Sequence, residues 1–330
     1  MNFQIHTSYG EGNTQILQVC KDLSNLVPPI EERLVFDLRN YGETNPFSNL
    51  VLINSLRQYR KKHRESDLFC NPKDIGGYLS HIGFYKACGI SIGKEPGESR
   101  PSSNYVPVTD IGINDANFYD SIDRRARDLA ATLQFDSGLQ EMLSYNFTET
   151  IRNVYEHADT DSVLVAAQKW PSRGLVEIAI ADEGCGITGS LNKQFSNDPK
   201  ELLRLACKPG ISAKSNFEYL DINNPWRNSG YGLYIMKELA LAYGGSFILC
   251  SGKHAIRYYC YNHSEKEIVY ETSYSGTAIG IRFRTDTNND FNSVRRDVIT
   301  RGQKEAKQIK GAIRKASRSS GGRYNLRSEE

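Results

Sequence analysis

Two pairs of glycines, each interrupted by a single residue, constrain the fold of this 330-residue chain more than any other sequence feature. Gly184 and Gly186 follow an apolar run that ends at Asp182, whereas Gly230 and Gly232 lead directly into an amphipathic helical pattern. Glycine lets a backbone turn sharply and approach a flat ligand closely, and a helix start presents free N–H groups and the positive end of the helix dipole. A buried carboxylate can accept a hydrogen bond from an exocyclic amine. The pairs therefore predict a strand end suited to a flat, amine-bearing ligand and a helix start suited to an anion.

A polar helix supplies a third candidate segment. Glu149 and Asn153 are four residues apart, so they project from one face of a helix, one turn apart. A carboxylate and an amide at this spacing can hold a water molecule and Mg²⁺, the oxygen-liganded cation that accompanies phosphates. Taken singly, the three segments are also compatible with an ordinary D-x-G turn, a glycine-led helix without a ligand and a solvated polar face.

Composition excludes several classes of protein. Apolar residues make up 39% of the chain and charged residues 24%, which is typical of a soluble globular protein, and the length suffices for two domains. No run approaches 18 apolar residues and no basic-then-apolar leader is present, so neither a membrane span nor a secretory signal is expected. The seven cysteines are scattered without a C-x-x-C pair, which argues against a zinc site or a disulfide framework and favours a cytoplasmic location.

Apolar periodicity and composition divide the chain into four parts. Residues 1–95 alternate strand-like and helical patterns, which predicts a small α/β domain, and residues 96–116 predict a linker. Residues 117–290 predict a second domain, with a helical region over 117–158 and a glycine-led helix. Its predicted strands are 162–168, 176–181, 246–251, 255–261 and 278–284. Residues 291–330 predict a basic tail, at most one isolated polar helix followed by disorder.

The glycine pairs do not match the commonest nucleotide motifs. No G-x-x-x-x-G-K-[ST] occurs, and the dinucleotide fingerprint needs a strand just before its glycines, where this chain has a polar loop. The three segments in this order instead resemble the GHKL superfamily, which includes gyrase, heat-shock chaperone ATPases, histidine kinases and MutL. Glu149-x-x-x-Asn153 resembles the N box, Asp182-x-Gly184-x-Gly186 the G1 box, Gly230-x-Gly232-Leu233 the G2 box, and Ser275-Gly276-Thr277 the closing G-T element.

The resemblance covers residues 120–285 and implies both a fold and a site. The implied fold is a Bergerat-type ATP-binding domain, an α/β fold built as an α+β two-layer sandwich, with ATP and Mg²⁺ as cofactors. Asn153 would ligate Mg²⁺, Asp182 would accept from the adenine amino group, and Glu149 would be the general base. The remaining implied contacts are Gly184, Gly186 and Ile187 beside the base, Gly230, Tyr231, Gly232 and Leu233 at the phosphates, and Thr277 in the adenine-side water network. Residues 187–229 would form a mobile lid, with Lys208, Lys214 and Arg227 as candidates to neutralise phosphate charge.

A second resemblance covers residues 30–95. The run Leu34–Leu38, the helix Phe47–Tyr59 and the segment after Gly76 look similar to STAS domains, the fold of anti-sigma-factor antagonists. The phosphorylation turn of that family is replaced here by Asn-Pro-Phe-Ser-Asn-Leu, in which Ser48 would occupy the acceptor position. The favoured interpretation is a STAS-like docking domain without chemistry of its own.

The sequence leaves three functions open. An ATP-dependent switch would close its lid, change the contacts of the STAS-like half or of a partner, and reset by hydrolysis at Glu149. A serine/threonine kinase of the anti-sigma type would share the E-x-x-x-N arrangement, and an ATP sensor would bind without turnover. A histidine kinase is disfavoured because no helical pair with a phosphoacceptor histidine precedes residue 120. A protein partner is expected; a homodimer and nucleic-acid binding through the tail are further hypotheses, and no membrane contact is expected.

Overall fold

The computed structural model describes residues 2–4, 13–24, 35–38, 41, 44–62, 69–72, 77–95, 98, 102–113, 118–191, 195–212 and 229–316. Five antiparallel strands form an open sheet: β4 (Tyr105–Gly112), β5 (Ser162–Trp170), β6 (Leu175–Asp182), β7 (Ser246–Tyr261) and β8 (Ser264–Arg284). Their spatial order is β4-β5-β6-β8-β7. Three short parallel strands form a second sheet: β1 (Asn2–Gln4), β2 (Val35–Leu38) and β3 (Phe69–Pro72).

Helices cover both faces of the five-stranded sheet. One face carries α6 (Ser137–His157) and α9 (Gly232–Ala242), with α5 (Phe118–Thr132) and α10 (Phe291–Ala306) packed beside them. The opposite face carries α1 (Asn13–Ser24) and α2 (Pro46–Lys62). The short helices are α3 (Tyr78–His81), α4 (Phe84–Ala87), α7 (Gly186–Ser190) and α8 (Pro199–Ala206). No described helix combines the length and apolar composition needed to cross a lipid bilayer.

Strand β6 shows how both faces become buried. Successive strand residues point to opposite faces, so Ile178 and Ile180 enter the core beneath α6 and α9, whereas Ala179 and Ala181 enter the core beneath α2. The alanines leave room for a helix to approach the sheet closely. The mixed α/β class is confirmed, and the five-stranded sheet lies between α6 and α9 on one face and α1 and α2, from the N-terminal part of the chain, on the other.

Helix α2 is held against the sheet by polar as well as apolar contacts. Twelve of its 17 residues are buried. At its first turn, the Phe47 N–H donates to Oε1 of the buried Glu177 at 3.2 Å, and Oε2 of Glu177 accepts from Arg282 at 2.9 and 2.5 Å. A carboxylate is favourable at this position because a helix N-terminus carries partial positive charge.

The predicted linker over 96–116 is wrong for residues 105–112, which form β4 at one edge of the sheet. The segment has Gly, Pro and Ser on its N-terminal side, and these residues obscured a short alternating run. Val106 and Val108 enter the two different cores. Because β4 buries residues on both faces and its register shifts between Val106 and Thr109, its sequence lacks the sustained alternation of a strand with one solvated face.

The predicted tail over 291–330 begins with an integral helix rather than an isolated one. Asp290 caps α10 by accepting from the Ser293 N–H at 2.7 Å, and Phe291 and Val298 are buried in the core beneath α6 and α9. Ile313, beyond the helix, is buried as well. Residues 317–330 lie outside the described part of the chain, so the prediction for them stays a prediction.

Two further boundaries differ from the sequence pattern. The helical region over 117–158 is divided into α5 and α6, because Asp136 accepts from the Leu139 N–H at 3.0 Å and starts a new helix. The strands predicted at 255–261 and 278–284 are parts of the long hairpin of β7 and β8.

Candidate functional site

The three segments singled out in the sequence converge on one open cleft. Its volume is about 790 Å³, which includes space open to solvent. It lies where α6, the end of β6, the start of α9 and strand β8 meet. Eight of the eleven predicted site residues line it: Asn153, Asp182, Gly186, Ile187, Gly230, Gly232, Leu233 and Thr277. Glu149, Gly184 and Tyr231 are not among the lining residues but are adjacent to them in sequence or space.

Asp182 is the buried carboxylate of the cleft. Its side chain is at the end of β6, and the residue is 2% exposed. Oδ1 accepts hydrogen bonds from the Gly184 N–H at 2.8 Å and from the Thr277 N–H at 3.2 Å. Burial raises the pKa of this carboxyl to about 6, although the two N–H donors partly oppose the rise. Because both backbone donors are directed at Oδ1, Oδ2 remains able to accept a hydrogen bond from a ligand.

The walls beside Asp182 are apolar. The side chains of Val154, Ile180, Ile187 and Ile279 line the cleft, together with Ala158. An apolar slot that ends in one buried carboxylate suits a flat ring with an exocyclic amine, because the ring gains burial and the amine gains an acceptor.

Ser251 is a site residue that the sequence did not reveal. Its hydroxyl accepts from the Ile187 N–H at 2.9 Å and donates to the carbonyl of Gly276 at 2.7 Å. The hydroxyl therefore joins the start of α7 to the segment of β8 that contacts Asp182. Ser251 lies at a register shift of β7, and a serine within an apolar strand has no local signature of this role.

The two predicted site residues of helix α6, Asn153 and Glu149, differ in their exposure to the cleft. Asn153 is partly exposed and lines the cleft, but Glu149 is 2% exposed. Oε1 of Glu149 accepts from Arg152 at 2.5 Å in a buried ion pair. Oε2 faces the start of α9, since a β-carbon on Gly232 would lie 2.8 Å from it. Glu149 thus contacts the helix start rather than the open space of the cleft.

The start of α9 is shaped by close backbone contacts. Gly230 has a φ of +67°, and a β-carbon there would overlap the carbonyl of Ile211. The Gly210 N–H donates to the Gly230 carbonyl at 3.0 Å, so this turn connects the segment before residue 213 to the helix start. Gly232 and Leu233, in the first turn of α9, line the cleft, and the N-terminus of a helix is a favourable place for an anion.

The three lysine and arginine candidates for phosphate binding are not placed in the cleft by the described residues. Lys208 Nζ forms an ion pair with Glu305 at 2.8 Å, and Lys214 and Arg227 lie outside the described part of the chain. Within the described lining, His157 alone has a side chain that can carry positive charge.

The described residues contain no group of three or more His, Cys, Asp or Glu side chains that could hold a metal ion. A magnesium ion in this cleft would therefore take most of its ligands from a phosphate chain and from water. That arrangement is usual for Mg²⁺, which keeps several waters and few protein ligands.

The predicted acceptor Ser48 is buried in the first turn of α2, where its N–H donates to Asn45 Oδ1 at 2.9 Å. The residue is only 1% exposed, so its hydroxyl is not accessible to an ATP molecule in solution. Transfer of a phosphoryl group to Ser48 would require α2 to leave the sheet.

No protein-family model matches this sequence, and no curated protein matches it significantly. The functional case therefore depends on the geometry of the cleft.

Proposed function

We propose that this protein binds ATP together with Mg²⁺ in the cleft between α6, β6 and α9, and acts as a nucleotide-dependent switch through protein contacts. The observation that carries the proposal is the placement of Asp182 and the Gly230–Gly232 helix start on one cleft with Asn153. A single ligand that fits all three needs an amine-bearing ring, an anionic chain and a hard cation.

The lining residues fit such a ligand by their chemistry. Asp182 Oδ2 would accept from the adenine amino group, while the apolar side chains around it would cover the faces of the ring. The N–H groups at the start of α9 would donate to phosphate oxygens, and the amide oxygen of Asn153 would ligate Mg²⁺. The bound cation would neutralise part of the phosphate charge, which the described lining leaves largely uncompensated.

Replacing Asn153 with Ala tests the metal assignment. We expect ATP affinity in Mg²⁺ to fall by about 10-fold, because one charge-assisted contact is lost. Affinity in the presence of EDTA should be unchanged. Isothermal titration calorimetry with and without Mg²⁺ measures both values.

Asn292 provides the control for this variant, since it is an exposed asparagine on α10 whose side chain bonds Glu141. Asn292→Ala should leave both affinities unchanged. An Asn153→Ala protein with the same Mg²⁺ dependence as wild type would reject the assignment.

The pKa of Asp182 predicts how base recognition depends on pH. Its carboxyl has a raised pKa of about 6, so it is protonated below that pH and ionised above it. An amine donor favours the ionised form, so ATP should bind more tightly as pH rises through about 6 and should release a proton on binding. We expect the affinity ratio of ATP to purine riboside triphosphate, which lacks the amino group, to fall as pH is lowered from 7 to 5. The two ligands share phosphate titrations, so a constant ratio would contradict the prediction.

The ion pair between Glu149 and Arg152 favours ATP sensing over hydrolysis. Arg152 engages one oxygen of the proposed base, and Glu149 does not line the cleft. A general base must reach a water molecule near the terminal phosphate, so Glu149 would have to turn toward the cleft before it could act.

Incubation of the pure protein with γ-labelled ATP separates the three functions. We expect slow turnover or none, with measurable ATP binding. Rapid release of labelled phosphate that Glu149→Gln abolishes would instead support a hydrolysing switch. Label on a protein partner would support a kinase. Glutamine keeps an oxygen that can accept from the buried Arg152, and Glu156 still lies 3.9 Å from the guanidinium, so this variant costs less stability than removal of the whole Glu149 side chain.

A further inference from the structure

Helix α2, which belongs to the N-terminal part of the chain, contacts the two segments that carry Asp182 and Thr277, from the opposite face of the sheet. The contact is made by a chain of side-chain hydrogen bonds. Asn54 Nδ2 donates to the Tyr274 hydroxyl oxygen at 3.0 Å, and that hydroxyl donates to the backbone carbonyl of Asp182 at 2.9 Å. All three residues are at most 2% exposed, so water does not compete for these hydrogen bonds.

Two further contacts join the same helix to the same segments. Gln58 Nε2 donates to the carbonyl of Ser275 at 2.6 Å, and Lys61 forms an ion pair with Glu183. Asn54, Gln58 and Lys61 are spaced by about one helical turn, so these three contacts are made by one face of α2. That face therefore touches residue 182, its neighbour 183 and the segment 274–275.

The segment that α2 touches also holds the side chain of Asp182. Three residues after Tyr274, the Thr277 N–H donates to Asp182 Oδ1 at 3.2 Å. Both the backbone and the carboxylate of Asp182 are thus bonded to residues 274–277, which α2 contacts through Asn54 and Gln58. A displacement of α2 would alter the direction of the acceptor that faces the cleft.

We infer that Tyr274 and Asn54 are positioning residues through which helix α2 sets the orientation of the Asp182 carboxylate for base recognition. The inference rests on the proposed nucleotide function. Because coupling between two events is reciprocal, a bound adenine nucleotide also stabilises α2 on the sheet. Any partner or modification that displaces α2 therefore weakens recognition of the base.

Tyr274→Phe is the main test, since it removes one hydroxyl and keeps the buried ring. We expect ATP affinity to fall by about 10-fold, while the affinity for purine riboside triphosphate changes by less than about twofold. If the Tyr274 hydroxyl had a purely structural role, its removal would lower the affinities for both ligands equally. The difference between the ligands therefore reports the orientation of the acceptor rather than the stability of the fold.

Tyr243→Phe is the matched control. Tyr243 is also buried, and its hydroxyl donates to a backbone carbonyl, that of Asn289, at 3.0 Å. The side chain lies at the C-terminal end of α9, packs in the core beneath α6 and α9, and does not line the cleft. We expect this variant to bind both nucleotides with wild-type preference.

Gln58→Leu gives a second variant at a partly exposed position, in case the tyrosine variant does not fold. It should show the same selective loss to a smaller extent. In wild-type protein, ATP should slow amide hydrogen exchange across residues 50–62, and Tyr274→Phe should remove this protection.

The inference would be overturned if Tyr274→Phe lowered the affinities for both ligands equally. It would also be overturned if this variant kept both the wild-type affinities and the ATP-dependent protection of residues 50–62 from hydrogen exchange. Wild-type protein that binds neither ligand would instead overturn the proposed function, so the two failures are distinguishable.

Discussion

Replacing Asp182 with Asn is expected to weaken ATP binding by about 100-fold or more, because a site built to accept a hydrogen bond would then present a donor. The asparagine oxygen can keep the Oδ1 contacts to the Gly184 and Thr277 N–H groups. Its amino group then takes the place of Oδ2 and opposes the adenine amine. Affinity measured by calorimetry at pH 7.5, where the wild-type carboxyl is ionised, tests this directly.

The same variant should leave the fold intact. The buried carboxyl has a pKa raised by desolvation, so ionising it opposes folding, and a neutral amide removes this cost. The free energy of unfolding at pH 7.5 should equal or exceed that of wild type in urea denaturation.

Asp128→Asn supplies the control, since Asp128 is an exposed acid on α5 that does not line the cleft. It should alter neither ATP affinity nor stability. ATP binding by Asp182→Asn at wild-type strength would show that residue 182 does not read the base, and the proposed function would lose its main support.

The second large effect is expected for Gly276→Ala. Gly276 has a φ of +104°, a conformation that residues with a side chain rarely adopt, and a β-carbon there would overlap the carbonyl oxygen of Asp182. That oxygen belongs to the backbone and cannot move aside cheaply. We expect a loss of about 3 kcal/mol in unfolding free energy and the loss of measurable ATP binding.

Gly252→Ala separates the backbone strain from the steric overlap. Gly252 also has a positive φ, +65°, but the nearest atom to an added β-carbon is Thr188 Oγ1 at 4.0 Å. This variant should lower the free energy of unfolding by only about 1 kcal/mol, which is the cost of the strained backbone conformation. Equal destabilisation by the two substitutions would show that close packing against Asp182 is not what requires glycine at position 276.

Local sequence patterns were sufficient to find the segments that line the cleft. The strand ending at Asp182 and the helix after Gly230 each follow from periodicity and glycine placement within about ten residues. Eight of the predicted residues line the cleft because the end of β6, helix α6 and the start of α9 lie together in one sheet and the helical layer above it. These elements are long or strongly patterned, and such elements are the easiest to recognise from sequence.

Long-range contacts were not recognisable in the same way. The burial of the apolar residues of β4 and α10 depends on partners that are distant in the chain. The burial of Glu149 with Arg152 likewise reflects the packing of α6 against α9, since spacing alone placed Glu149 on the same face as Asn153.

Neighbouring residues in the sequence encode the local chemistry of this protein: an acidic strand end, a polar helix and a glycine-led helix start. The position of α2, which reaches Asp182 through Asn54 and Tyr274, depends instead on how the whole chain packs. The physical reason is that residues 54 and 274 are 220 positions apart. Their hydrogen bond forms only when α2 packs against the sheet.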